Sequence, residues 1–220
     1  MSKPSATSAS RSVLLAGATG LVGAEILKQL EADPSVTRIV IIGRRPAPSA
    51  SPRINTQVVD FDKLDSYGDL FAVDQIICAL GTTLKQAGSK EAFRRVDLDY
   101  PMRIARLGLA SGARHFLLVS ALGANIDSRV FYNQVKGVLE EALRSMSYRS
   151  VTIVRPSLLL GKRKEFRLLE RIGMVVGEFV PGRYRPVRAR DVAGALVAAA
   201  REDAPGFQII ESEDIKAAAS

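Results

Sequence analysis

The chain has 220 residues but only one cysteine and one histidine, and each scarcity excludes a class of site. Cys78 stands alone in the apolar run Ile76-Ile77-Cys78-Ala79-Leu80, so neither a disulfide framework nor a cysteine-based metal centre is possible. A reducing cytoplasm is the expected compartment. A lone His115 excludes a His-rich metal site and a Ser-His-Asp triad, and it reads as a residue at a strand start. Residues 1–10 are polar and lack the apolar stretch of a signal peptide. No run approaches the roughly 18 apolar residues of a membrane-spanning helix. A composition of 47% hydrophobic and 25% charged residues excludes disorder and suffices for a full core in one domain.

The stretch that organises the rest is Ser12-Val13-Leu14-Leu15-Ala16-Gly17-Ala18-Thr19-Gly20-Leu21-Val22-Gly23. An apolar run, a glycine turn and an apolar-periodic segment follow one another as strand, turn and helix, the order of a dinucleotide-binding unit. Gly17 allows the sharp turn, Gly20 leaves room for a pyrophosphate at the helix N-terminus, and Gly23 allows close packing on the sheet. The spacing is G-x-x-G-x-x-G, and a plain strand-to-helix connection is the alternative. A second buried strand, residues 37–43, ends at Arg44-Arg45, where an NAD-binding protein usually places an acid against the ribose 2′-hydroxyl. Two guanidinium groups suit the 2′-phosphate of NADP, and solvent-facing arginines at a strand end are the other reading.

Further along, residues 55–62 read as a third strand, whose end at Asp60 and Phe61 borders an adenine. Asp65, Asp69 and Asp74 read as solvated surface. A fourth strand, 75–80, enters the small-residue turn Gly81-Thr82-Thr83. A long helix over 89–111 follows, with a kink or break at Pro101. The fifth strand stops at Ser120, the next helix carries Tyr132 and Lys136, and the sixth strand ends at Pro156. Strands alternating with helices predict an α/β fold, a single doubly wound parallel-sheet Rossmann domain with a small C-terminal substrate region. Its bounds are a flexible 1–11, a domain over 12–210 and a tail over 211–220 that is loose from Lys216. In the last third, 166–176 reads as helix, 177–182 as loop, 185–188 as an extended piece and 207–210 as a final strand, with Asp191 capping the helix over 192–201.

Tyr132 and Lys136 stand at i and i+4 and share a helix face. A lysine ammonium, with the positive nicotinamide of an oxidised cofactor, would lower the phenol's pKa from about 10 and fit it for acid–base work. Tyr132 would exchange a proton with an alcohol oxygen while hydride moves, Ser120 would donate a hydrogen bond to that oxygen, and Lys136 would also hold the nicotinamide ribose. An ordinary surface helix is the alternative.

The net charge of +8 is concentrated in residues 162–190, which carry +6 of it: nine basic residues, Lys162, Arg163, Lys164, Arg167, Arg171, Arg183, Arg185, Arg188 and Arg190, against the three acids Glu165, Glu170 and Glu178. A solvated face, an anionic substrate, or an acidic partner or membrane surface would each account for it. Nucleic acid is disfavoured, because Phe166, Phe179 and Tyr184 are too scattered for stacking.

Taken together, Gly17 to Gly23, Gly43-Arg44-Arg45, Val59-Asp60-Phe61, Leu80-Gly81-Thr82-Thr83 and Tyr132-x-x-x-Lys136-Gly137 resemble the short-chain dehydrogenase/reductase superfamily. The resemblance is to its atypical, NADP-binding branch, related to the Tat-interacting protein and bacterial NAD(P)H-binding relatives. Arg155-Pro156-Ser157 and residues 187–193 match that branch's later loops, and the resemblance spans about residues 12 to 200. It implies NADP(H) as cofactor, Ser120, Tyr132 and Lys136 as the catalytic set, and a cofactor site built from Gly17, Thr19, Gly20, Leu21, Val22, Gly23, Arg44, Arg45, Asp60, Phe61, Leu80, Gly81, Thr82, Lys136, Pro156 and Ser157.

Two departures stand out. Asp97 occupies the place where the wider superfamily often has asparagine, and a carboxylate cannot donate as an amide does, which puts the usual water relay to Lys136 in question. The C-terminal region is also too short for a deep nucleotide-sugar pocket. The expected activity is hydride transfer to or from a small carbonyl or alcohol, neutral or anionic, in a monomer or homodimer, with an apolar lining from Leu122, Leu158, Leu159, Met174 and Val176. The alternative is a non-enzymatic NADPH-binding protein that engages a partner through its basic region.

Overall fold

A computed structural model describes residues 10–47, 51–160 and 182–219. Seven parallel strands form one sheet: β1 (Arg11–Ala16), β2 (Val36–Gly43), β3 (Ile54–Val58), β4 (Gln75–Cys78), β5 (His115–Val119), β6 (Ser150–Arg155) and β9 (Gly206–Glu211). Their spatial order is β3-β2-β1-β4-β5-β6-β9. The order reverses between β1 and β4, and the crevice at that switch point is where such sheets bind ligands. The short β7 (Leu159–Leu160) and β8 (Val187–Arg188) pair separately.

Successive strand residues point to opposite faces, so each central strand feeds two cores. Leu14, Val40, Ile42, Ile76 and Phe116 pack on one side, and Val13, Leu15, Ile39, Ile41 and Ile77 on the other. Helices α1 (Leu21–Ala32) and α6 (Ala189–Glu202) pack together over the second core. Over the first lie a 3-10 helix (Phe61–Phe71), α4 (Tyr100–Ala110) and α5 (Phe131–Arg144).

Several sequence expectations change. The third strand ends at Val58, and Asp60 instead caps the 3-10 helix by accepting the Asp62 N–H at 3.0 Å. Asp74 is not simply solvated: its Oδ2 accepts from both the N–H and the hydroxyl of Ser12 at 2.8 Å, joining β4 to β1. Pro101 sits in the first turn of α4, and the irregularity in the long helix falls just before it. After α2 (Leu84–Ala87) and α3 (Lys90–Arg94), one π turn (Arg95–Asp99) leads into α4, with the Tyr100 N–H reaching back to the Arg95 carbonyl. A π turn adds one residue per turn just before the proline, whose missing N–H needs no partner there. The extra residue carries Asp97 inward, where it is buried.

Asp191 lies in the first turn of α6 without making a side-chain cap, because Arg188 is the N-cap; its charge still suits the helix N-terminus. The tail is not loose at Lys216: α7 (Ile215–Ala218) packs on α6, and Ile215 is fully buried. The expectations for 1–9, for the helix over 166–176, for most of the 177–182 loop and for Lys162, Arg163, Lys164, Arg167 and Arg171 lie outside the described residues, as do Phe166, Phe179, Met174 and Val176. His115 does open β5, held by Asp203 and Thr152 at 3.0 Å each, and burial pushes its imidazole pKa down. Burial pushes the Cys78 thiol up to about 11, so it is inert.

A buried carboxylate joins the start of the central strand β1 to both helices of the second core. Asp33 takes Arg11 at 2.7 Å and Arg201 of α6 at 3.0 Å, and it accepts from the Ser35 N–H at 3.0 Å. Burial raises the Asp33 pKa, but the hydrogen bonds from Ser35, Arg201 and Arg11 outweigh it and hold the carboxyl well below the usual range. A carboxyl with a depressed folded pKa stabilises above its unfolded value and loses that contribution as pH falls. Asp33→Asn is therefore expected to cost about 3 kcal/mol near neutral pH. It should also flatten the loss of stability that the wild type shows below about pH 4. Denaturant unfolding at neutral and acid pH checks both effects.

Candidate active site

The glycine turn is shaped by backbone contacts that leave no room for side chains. Gly17 sits at φ +92°, and a Cβ there would lie 2.6 Å from the Ala79 carbonyl oxygen. A Cβ on Gly23 would lie 2.0 Å from the Gly17 carbonyl oxygen, so the first turn of α1 rests directly on the turn that follows β1. Gly20 is the N-cap and supplies no side-chain hydrogen bond, which leaves the N–H groups of the first turn available to an anion. These features fit the pyrophosphate of a dinucleotide.

Between the ends of β1, β2 and β4 lies a cleft of about 290 Å³. Of the predicted cofactor residues it brings together Gly17, Thr19, Gly20, Arg44, Arg45, Phe61, Leu80 and Gly81. Among the described residues no carboxylate lines it. Gln86 of α2 also lines it; the sequence reading missed this residue, and the Thr83-x-x-Gln86 spacing of a helix cap, realised as a 3.1 Å bond from the Gln86 N–H to Thr83, was the available signal.

Other predicted residues lie outside the cleft wall. Leu21, Val22 and Gly23 form the first turn of α1, with Val22 and Gly23 buried. Asp60 is exposed at its 3-10 cap. The Pro156 carbonyl accepts from the Leu122 N–H at 2.9 Å. Ser157 is engaged by the Ser212 hydroxyl at 3.1 Å and by the Arg185 carbonyl at 2.5 Å. Leu158 is exposed, whereas Leu159 packs against the second core.

Behind Gly81 and Thr82 is a second cluster. Lys136, almost wholly buried, places Nζ 2.8 Å from Asp97 Oδ1, and Asp97 Oδ2 accepts the Thr82 N–H at 2.9 Å. Asp97 thus ties Lys136 directly to the turn that borders the cleft. Burial disfavours the Lys136 ammonium, but the Asp97 charge more than compensates and its pKa is raised. Tyr132 stacks on Phe93 with ring centroids 5.6 Å apart. Its phenol pKa is not lowered as expected from Lys136: burial raises it first, Lys136 lowers it, and Asp97 raises it again, for a net increase.

Ser120 also departs from its expected part. Its hydroxyl donates a very short hydrogen bond to Glu140 Oε1 instead of standing free to donate to a substrate. Glu140 receives the Arg155 Nε at 3.1 Å on its other oxygen, and Arg155 reaches Glu211 at 2.8 Å. Tyr132, Lys136 and Glu140 stand at i, i+4 and i+8 on α5, so one helix face carries all three. Glu140 went unnoticed in the sequence because its partners, Ser120 and Arg155, lie on two different strand ends. Truncating it leaves Arg155 with a single acid and Ser120 unpaired. Glu140→Ala should destabilise the chain by about 3 kcal/mol in denaturant unfolding.

Comparison with known proteins agrees with this geometry. The profile of a family described as NAD(P)H-binding matches residues 17–203. Protein HTATIP2 of Rattus norvegicus is 37% identical over 161 residues, 71% of this chain and 66% of the rat protein. Protein FMP52, mitochondrial, of Eremothecium gossypii is 32% identical over 213 residues, covering 92% of this chain and 94% of that one.

Among solved structures, MoeE5 in complex with UDP-glucose and NAD superposes with a TM-score of 0.70 at 16% identity, over 93% of this chain and 79% of its own. The UDP-N-acetylglucosamine 4-epimerase of Methanobrevibacter ruminantium M1 gives 0.70 at 14% identity, over 92% and 77%. These two show the shared Rossmann fold.

The cytoplasmic expectation is corrected by the fungal relatives, which are named as mitochondrial proteins. One buried, inert thiol carries no information on compartment. Among the described residues no helix is long and apolar enough to cross a membrane, and no group of acidic, histidine or cysteine side chains is arranged to hold a metal. A parallel sheet with its switch-point cleft at a three-glycine turn, a family profile across most of the chain and relatives above 30% identity place this chain in the NAD(P)H-binding family, as an atypical short-chain dehydrogenase/reductase.

Proposed function

We propose that the chain is an NADP(H)-dependent oxidoreductase acting on a small carbonyl or alcohol. The observation that carries the cofactor choice is the cleft itself, where Arg44 and Arg45 stand at the end of β2 and no carboxylate lines the wall among the described residues. A ribose 2′-hydroxyl calls for an acid at that strand end, and a 2′-phosphate for a guanidinium. The uncapped first turn of α1 receives the pyrophosphate, and Phe61 flanks the adenine side. When bound, the nicotinamide ring supplies or accepts the hydride.

The chain's own part is proton handling and positioning. Tyr132 gives its proton to the developing alkoxide oxygen, or takes one from an alcohol. Because the Ser120 hydroxyl already donates to Glu140, Tyr132 is the hydroxyl left to donate to substrate. Lys136, anchored by Asp97, holds the ribose with those donors that Asp97 leaves free. Arg183, Arg185, Arg188 and Arg190, the described part of the basic region, favour an anionic substrate.

A second reading, an NADPH-binding protein without turnover, draws on two observations: Ser120 is hydrogen-bonded away, and the Lys136 charge is neutralised. Calorimetric titration with NADPH and NADH tests the cofactor. The wild type should prefer NADPH, and Arg44→Ala/Arg45→Ala should lose at least about tenfold in NADPH affinity, as loss of a charge-assisted bond predicts. Equal binding of both nucleotides would overturn the NADP reading. A screen of small carbonyls with NADPH then separates the two functions. Turnover that Tyr132→Phe lowers by about a hundredfold or more supports the enzyme, and binding without turnover supports the alternative.

A further inference from the structure

Asp97 is a buried carboxylate with partners on two different elements. Its Oδ1 lies 2.8 Å from Lys136 Nζ of α5, and its Oδ2 accepts the Thr82 N–H at 2.9 Å. The Lys136 and Asp97 side chains are 4% and 1% exposed, so bulk water solvates neither ion. Among the described residues, Lys136 is the sole partner of Oδ1. A Cβ added to Gly81 would lie 3.6 Å from that oxygen, which puts the carboxylate directly behind the turn that lines the cleft. The other ionisable groups that act on Lys136 are Tyr132 on its own helix and Cys78 of β4, and burial keeps both uncharged near neutral pH. Asp97 is therefore the anion that lets Lys136 keep its proton away from water.

We propose that Asp97 is a positioning residue for the cofactor: it joins Lys136 to the Gly81–Thr82 turn, so that ammonium and turn meet the nucleotide as one unit. The inference rests on the cofactor reading above, in which Lys136 holds the ribose. Asp97→Asn keeps the shape of the side chain and loses this function. An amide has one acceptor oxygen; if that oxygen keeps the Thr82 N–H, the amide nitrogen faces the Lys136 ammonium, donor against donor. The conflict ends when Nζ gives up a proton and accepts instead, and burial favours the same neutral form. An uncharged amine then faces the ribose, and its charge-assisted hydrogen bond becomes an ordinary one.

The test first follows Lys136 itself, by carbon-13 NMR of lysine-labelled protein without nucleotide, with Lys136→Met identifying its ε-carbon signal. The wild-type signal should titrate only above about pH 10, and an earlier midpoint overturns the proposal. In Asp97→Asn, with circular dichroism confirming the fold, the midpoint should fall by about two pH units or more. A midpoint that stays at the wild-type value marks Asp97 as merely structural and also overturns it. Calorimetric titration with NADPH then completes a double-mutant cycle. Above the variant's midpoint, Asp97→Asn should weaken NADPH binding by about tenfold, the loss of a charge-assisted bond. Added to Lys136→Met, it should change the affinity by less than about twofold. Additive losses would mean that Asp97 acts on the nucleotide without Lys136, against the proposal. If Asp97→Asn alone does not fold, the wild-type titration and the comparison of Lys136→Met with the charge-free double variant decide the matter. Wild-type protein that shows the expected titration yet binds no NADPH refutes the cofactor reading and the unit's role with it. Protein that binds NADPH but fails the titration or the cycle refutes only the role of Asp97.

Discussion

The contact of bare backbone at Gly17 and Gly23 is the constraint on which the rest depends. With no Cβ at either position, the first turn of α1 settles onto the Gly17 carbonyl, and the turn after β1 settles against Ala79 at the end of β4. These two approaches close the floor of the crevice where strand order reverses, and they aim the uncapped helix N-terminus into it. Arg44 and Arg45 arrive at the same crevice only because β2 runs parallel beside β1 in register, Ala16 opposite Ile42. The cleft and its two arginines thus follow from the placement of three strand ends.

The second layer of organisation is electrostatic. Two buried ion pairs hang on α5: Lys136 with Asp97, and Glu140 with Arg155. Each takes a residue that sequence spacing assigns to catalysis, Lys136 or Ser120, and gives it a partner of its own. A buried pair costs desolvation, so its presence beside a cleft has more to do with fixing geometry and charge than with net stability. The site that results has an ammonium paired with one carboxylate and a hydroxyl bound to another.

Much of this was legible in the chain because it is written in local patterns. Apolar runs mark parallel strands buried on both faces, and the glycine spacing, the paired arginines and the Tyr132–Lys136 interval each describe one short segment. What stayed hidden depends on pairs far apart in sequence. Asp97 was visible as a departure from asparagine, but its direct grip on Lys136 goes with the π turn that precedes Pro101, which periodicity does not encode. Glu140 looks like one more acid on a helix until β5 and β6 bring Ser120 and Arg155 to it. Asp74 reads as surface for the same reason, and the helix at 215–218 is held by burial of Ile215 against α6, not by its own propensity.

A crystal structure of the chain grown with NADPH tests the central claim most directly. The account predicts the pyrophosphate on the N–H groups between Gly17 and Val22, the 2′-phosphate against Arg44 and Arg45, and the nicotinamide end directed past Gly81 toward Tyr132. A nucleotide seated elsewhere, or one in this cleft with its 2′-phosphate turned away from both arginines, would contradict it.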